Sequence, residues 1–187
     1  MPPAEKPDQG PFNPQRLDAL RMARGGAVLQ GRRPLHHFVR LLADLHAPVD
    51  PEAEVVWSAR AELRASASGA PEAWLHLEAT ALAPLTCQRC LDAVQTALAV
   101  DRWFRFVADE DAALAEDDDC EEDLLALEPR PDLLAVIEDE LIMELPLVPM
   151  HGRCPDTPAA LAPAPETPVA DERPHPFSAL ARLKGGQ

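Results

Sequence analysis

At 187 residues the chain is long enough for one domain with a real core and some length to spare. Its formal net charge of −15 argues against indiscriminate binding of nucleic acid over the whole surface. No run approaches the roughly 20 apolar residues that a membrane helix needs.

Aromatic residues make up only 4% of the chain, and the 21 prolines crowd toward both ends, so a compact middle between loose termini is expected. The opening MPPAEKPDQG lacks the basic and apolar regions of a secretory signal. With four cysteines, two of them in a Cys-x-x-Cys pair, a reducing cytoplasm is the expected compartment.

In chain order, Asn13 and Pro14 open the first predicted helix, as cap and first helical residue. Leu17, Leu20 and Ala23 recur at helical spacing, and Gly25-Gly26 supplies a stop. Residues 27–31 suit a short strand. Behind Pro34, the positions Leu35, Phe38, Val39, Leu42 and Leu45 predict a second amphipathic helix that ends at Ala47-Pro48.

From Glu54 the period becomes two: Val56, Ser58, Arg60, Glu62 and Arg64 alternate with Val55, Trp57, Ala59, Ala61, Leu63 and Ala65. A turn signal at 68–71 leads to a return strand over 74–82, which alternates less cleanly. After the cysteine pair, Val94, Thr96, Leu98, Val100, Phe104 and Phe106 share one side of a long third strand, interrupted by Arg102. Its other side carries Gln95, Asp101 and Arg105, with Trp103 among them. Short turns between sequential strands imply an antiparallel meander.

Residues 109–123 contain ten acids and no base, which predicts a solvated loop. Asp132 then starts a strong helix with Leu134, Ile137, Leu141 and Leu145 as its apolar stripe, ended by Pro146. The expected fold is α+β: an antiparallel β-meander or small partly closed barrel with flanking helices and disordered termini. It occupies 12–154 as a single domain. A proline-rich disordered linker, with seven prolines, follows over 155–176, and a short helical or docking segment over 177–187.

For Cys87 and Cys90, redox catalysis of the thioredoxin kind needs a helix directly after the pair. The period-two pattern that follows instead places it at a turn between strands. His151 and Cys154 offer two more ligands, so a Cys3His zinc site is a second reading. Reduced turn cysteines without metal are the plainer third, and no bound cofactor is expected, zinc being the one candidate. Cys120, within the acidic run, is a bystander.

Arg16, Arg21, Arg24, Arg32, Arg33 and Arg40 form a basic stretch that either contacts phosphates or solvates helix faces; the two readings weigh equally. His36 and His37 read as a helix-surface pair. Glu138, Asp139 and Glu140 occupy consecutive helical positions, so they point in different directions and do not form an acid/base pair. No Ser/His/Asp series, Gly-rich phosphate loop or HExxH motif is present, and no catalytic residue is assigned.

The segment from Asp132 to His151, DLLAVIEDELIMELPLVPMH, resembles the signature of the YceD family, the large ribosomal RNA subunit accumulation proteins. Asp132, Glu138, Asp139, Glu140, Pro146 and Pro149 carry it. The upstream CQRC turn, the acidic stretch, the early Pro14-Gln15-Arg16 and the terminal HPFSALARLK with Phe177 are similar in order and spacing.

The resemblance implies a cytoplasmic, non-enzymatic factor in the biogenesis of the large ribosomal subunit. Its partners would be precursor large-subunit rRNA, or large-subunit ribosomal or processing proteins, with no membrane and no small-molecule substrate. Some members have a cysteine-rich C-terminal extension that looks zinc-binding, where this chain keeps His151 and Cys154 before turning proline-rich. The competing reading is a thiol-dependent redox or zinc-handling protein built on Cys87 and Cys90.

Overall fold

The computed structural model describes residues 12–66, 69–117 and 120–155. All of these but Pro155 belong to one compact unit, which ends at Cys154. The expected disordered N-terminal tail lies outside the described residues. So do the linker beyond Pro155, the terminal segment and Phe177.

Five strands form one open sheet in sequence order: β1 (Val28–Pro34), β2 (Glu54–Ala65), β3 (Pro71–Thr86), β4 (Ala93–Asp109) and β5 (Asp123–Glu128). The last three of β1 to β4 form the antiparallel meander that the short turns imply, β1 adds to its edge antiparallel, and the sheet does not close into a barrel. β5 is the unforeseen member, and it pairs parallel to β4, with Phe106 opposite Leu125. A parallel return needs a crossover, and the acidic run supplies it.

The expected acidic loop is therefore a correction. It contains α3 (Glu110–Glu116) and ends in the first residue of β5. Asp109 caps α3 by accepting the Ala112 N–H at 2.9 Å. Glu110 and Asp111 then sit in the first turn, where negative charge suits the helix dipole. Like-charge repulsion is thus offset at the very end of the helix where carboxylates are favoured.

The predicted N-terminal helix also splits. Asn13 caps only a 3-10 turn, Pro14–Arg16, by accepting the Gln15 N–H at 3.0 Å. Asp18 then starts α1 (Ala19–Arg24), accepting from Arg21 N–H at 3.2 Å, and Gly26 leaves it at φ 56°. The second predicted helix is shortened to a 3-10 turn, Leu35–His37, followed by α2 (Val39–Ala43). The last helix, α4 (Leu133–Met143), forms as patterned, with Asp132 accepting from Leu134 and Ala135 N–H groups.

One face of the sheet meets α1, α2 and α4. Leu75, Leu77, Leu98 and Phe104 pack there with Met22, Leu41, Ile137 and Leu141. Trp57 belongs to this layer and lies across Gly31, its register partner on β1. A Cβ on Gly31 would sit 2.5 Å from Trp57 Cζ2. Since that indole is itself walled in, Gly31→Ala is expected to cost about 1–3 kcal/mol by overpacking, measurable by urea denaturation. An unchanged midpoint would mean that the indole can move aside.

Arg102, which interrupts the core side of β4, is accommodated at the rim. Its Nε approaches Glu140 Oε2 to 3.3 Å and its guanidinium reaches Asp123 at 3.8 Å. The Glu140 oxygen has no well-directed hydrogen bond, so the contact is one of charge. Burial pushes the Glu140 carboxyl upward and Arg102 opposes the shift only in part.

Candidate metal centre and its surroundings

The β3–β4 turn is a compact knuckle. Cys87 N–H donates to Asp92 O and Leu91 N–H to Cys87 O, both at 2.9 Å. Closing it this tightly forces Leu91 to φ 67°. That is the left-handed region, which costs a residue with a Cβ about 1–2 kcal/mol. Its side chain is 68% exposed, so little packing is at stake. Leu91→Gly is therefore expected to stabilise by about 0.5–1 kcal/mol, read as a higher melting temperature. A lower melting temperature would mean that the Leu91 side chain holds the knuckle by contacts that outweigh the strain.

Past α4 the chain doubles back to this knuckle. Gln88 N–H donates to Pro149 O at 2.9 Å, which sets the segment after Pro146 against the turn. His151 and Cys154 arrive there together. The ligand atoms of Cys87, Cys90, His151 and Cys154 all lie within 4.8 Å of one another. Cys87 Sγ is 3.8 Å from Cys154 Sγ, and Cys90 Sγ is 3.4 Å from His151 Nδ1. A tetrahedral zinc ion with ordinary bond lengths would place two thiolates about 3.8 Å apart and a thiolate and an imidazole nitrogen about 3.5 Å apart. Both measured edges fit.

The outer contacts orient the same four groups. His151 Nε2 lies 3.1 Å from Ala93 O, so the proton belongs on Nε2 and the Nδ1 lone pair faces the sulfurs. Arg89 donates from Nε to Cys154 Sγ at 3.0 Å and from a terminal nitrogen to His151 O at 2.8 Å. None of the cysteines is in a disulfide, and Cys120 stays apart, its thiol on Glu122 O.

The two knuckle thiols differ strongly. Burial would raise Cys87, but backbone N–H groups of the knuckle and the His151 side chain outweigh it and hold the thiol down at about 5. Cys90 gains a backbone hydrogen bond that lowers it. Burial and the neighbouring sulfurs prevail, and it is pushed up to about 11. One member of the pair is a ready thiolate; the other keeps its proton at neutral pH.

The arginines of the basic stretch have separate surroundings. Arg40 is bound to Glu138 at 3.0 Å, to Asp139, and to Ala135 O at 3.3 Å. Arg32 pairs with Glu54 at 3.5 Å and Arg21 lies over the Phe12 ring. Arg33 makes contacts of its own. Arg16 and Arg24 are exposed and form no ion pair among the described residues.

The signature carboxylates are occupied within the fold. Asp132 caps α4. Glu138 Oε1 accepts the backbone N–H groups of Arg40 and Leu41, at 2.7 and 3.2 Å. Phe38 precedes α2 and has no oxygen to cap it, so a carboxylate from α4 performs that task. Glu140 faces Arg102. Pro146 and Pro149 lie in the returning segment, and Pro149 supplies its carbonyl to the knuckle.

Sequence reasoning missed Arg89, because its role depends on a chain segment more than 60 residues away. Its place between two candidate ligands was the available signal. It also passed over Trp74, His76 and Trp103, which meet on the sheet face opposite α1, α2 and α4. Their alternation with the core positions of β3 and β4 was the clue. No helix among the described residues is long and apolar enough to cross a membrane.

Residues 75–184 match the family model described as large ribosomal RNA subunit accumulation protein YceD. The match spans both halves of the Cys/His cluster, α4 and the returning segment. No solved structure matches the chain.

Proposed function

Because the chain belongs to the YceD family of large ribosomal RNA subunit accumulation proteins, we propose that it is a non-enzymatic ribosome biogenesis factor. It acts in the cytoplasm by binding, and supports the synthesis, processing or stability of large-subunit rRNA. Its partners are precursor rRNA, or large-subunit ribosomal or processing proteins. The match over 75–184 carries this reading. Depletion is expected to lower large-subunit rRNA relative to small-subunit rRNA in growing cells; an unchanged ratio overturns it.

We infer in addition that Cys87, Cys90, His151 and Cys154 hold a structural zinc ion. The donor set, the two near-tetrahedral edges and the oriented His151 tautomer support this. With all four positions taken by protein, the ion would cross-link the hairpin tip to the segment after α4 and leave no site for a substrate.

The depressed Cys87 thiol favours a rival reading, a thiol-disulfide exchanger. Exchange requires the thiolate to meet an incoming sulfur. Cys87 is 0% exposed, which weighs against it.

A further inference from the structure

We propose that the sheet face opposite α1, α2 and α4 is a stacking surface for single-stranded RNA, centred on Trp74 and Trp103 and flanked by Arg60 and Arg64. This deepens the rRNA reading above and rests on it for the choice of RNA.

The surface follows from strand register. With the odd positions of β2 and β3 committed to the core, the even ones project to the other side. Arg60 is opposite His76, which in turn is opposite Trp103. One row along, Trp74 is opposite Arg105, whose guanidinium is taken by Glu116 of α3 at 2.9 Å. These rows bring flat π-systems and guanidinium groups into one layer. The His76 ring stacks on Trp103 with centroids 4.3 Å apart and planes 12° from parallel. The Arg64 guanidinium carbon is 3.8 Å from the Trp103 ring centre and 4.6 Å from that of Trp74. Arg60 lies 5.7 Å from Trp103.

Both tryptophans are half-buried, and α1, α2 and α4 pack on the opposite face. Such a layer suits unpaired bases, which would stack on Trp103 in place of the Arg64 or His76 group that lies against it. Every base has a π-face, and stacking on an aromatic side chain contributes about 1–3 kcal/mol per base whatever the sequence. Duplex RNA keeps its bases stacked inside and offers a sheet base edges, sugars and phosphates but no free base face.

The positive charge open to this occupant is local to Arg60 and Arg64, since Glu72 lies on the same face and Glu116 of α3 already neutralises Arg105. Arg60 and Arg64 share one counter-charge, Glu62, at 3.7 and 2.8 Å. Those ion pairs face solvent, where they are worth about 0–1 kcal/mol, so a phosphate can take over either guanidinium. Arg32 of β1 lies on the same face but beyond the Glu78 and Asp101 row, where it pairs with Glu54. Glu78 and Asp101, opposite one another on the next row, set an acidic limit that confines a strand to the arginine side.

The test uses the purified full chain and a 12-nucleotide oligouridylate, with tryptophan fluorescence and anisotropy as readouts. Binding quenches the fluorescence, and an equally long RNA duplex binds more weakly. Trp103→Leu lowers affinity roughly tenfold, the middle of the range for one stacked base. Arg60→Glu, at an exposed strand position, weakens binding and lowers the slope of log affinity against log salt by about 0.7 or more. Melting curves identify any variant that fails to fold, and Arg60→Glu then stands as the second probe.

Absence of binding at about 100 µM RNA, the weak end of nonspecific association, overturns the proposal. So does binding indifferent to both substitutions, or loss in both of a ribonuclease-resistant association with a ribosomal protein. The parent reading has its own readout. A lowered rRNA ratio on depletion with no binding by the isolated chain rejects this surface alone. RNA binding with an unchanged ratio rejects the parent reading alone.

Discussion

Chelation of the purified protein is expected to release one zinc per chain and to lower the melting temperature by roughly 10 °C or more, the scale set when a ligand far above its dissociation constant leaves the folded state. Limited proteolysis should then cut within residues 146–154, which the cross-link holds against the knuckle. Cys90→Ser should reproduce both effects, whereas Cys120→Ser should leave metal content and melting unchanged, since Cys120 stands apart from the cluster.

Metal uptake should also release protons, because the thiols bind as thiolates. Cys87, held at about 5, is already ionised at neutral pH, while Cys90, pushed up to about 11, must give up its proton. Affinity therefore rises with pH through the neutral range. Below about pH 5 it falls further, as Cys87 too becomes protonated. Substoichiometric metal together with an unmoved melting temperature would show that the four ligands come together without an ion.

The second large effect is expected at Glu138. This side chain is 12% exposed and one of its oxygens accepts two backbone N–H groups at the start of α2. Glu138→Ala leaves both donors and the Arg40 guanidinium without that partner. Loss of a helix cap costs about 0.5–2 kcal/mol, and the hydrogen bonds here are charge-assisted, so a loss of about 2–3 kcal/mol is expected. Glu138→Gln keeps one acceptor oxygen and should recover part of it. Urea denaturation of the two variants decides the point: equal midpoints would mean that charge, not capping, is what Glu138 contributes.

That result would also bear on the family signature. A run such as Glu138-Asp139-Glu140 invites assignment to a binding partner. In this fold Glu138 and Asp139 hold Arg40, and Glu140 faces Arg102. Arg40 is one of six arginines offered by the sequence for RNA contact, and its charge is already met inside the protein.

The long strands were legible because half their residues enter a core: Val55, Trp57, Ala59 and Ala61 alternate with Ser58, Arg60, Glu62 and the exposed Val56, and α4 shows its stripe for the same reason. β5 was not. Asp123-Leu-Leu-Ala-Leu-Glu128 has no alternation, and only Ala126 of the six is fully buried. It is held by a parallel neighbour rather than by a pattern of its own.

The helix predicted behind Pro34 was over-long because its apolar spacing reflects two short pieces turning about Phe38. At the cysteine cluster, residue types were legible and distances were not. The approach of His151 and Cys154 depends on where α4 points them, which no local window contains.

Cys87 and Cys154 are 67 residues apart, yet their sulfurs are neighbours. At the usual rate of protein synthesis, about 5–20 residues per second, the second half of the cluster is made some 3–13 s after the first. For that interval the hairpin β3–β4 can form from nearby residues while its tip waits for a closing segment not yet made. Near the other end, Leu17 N–H donates to Pro131 O at 3.0 Å, so the early helical turn also awaits a late arrival. The nascent chain thus has a built-in order: the meander assembles first, and its two fastenings form only when the α4 region has emerged.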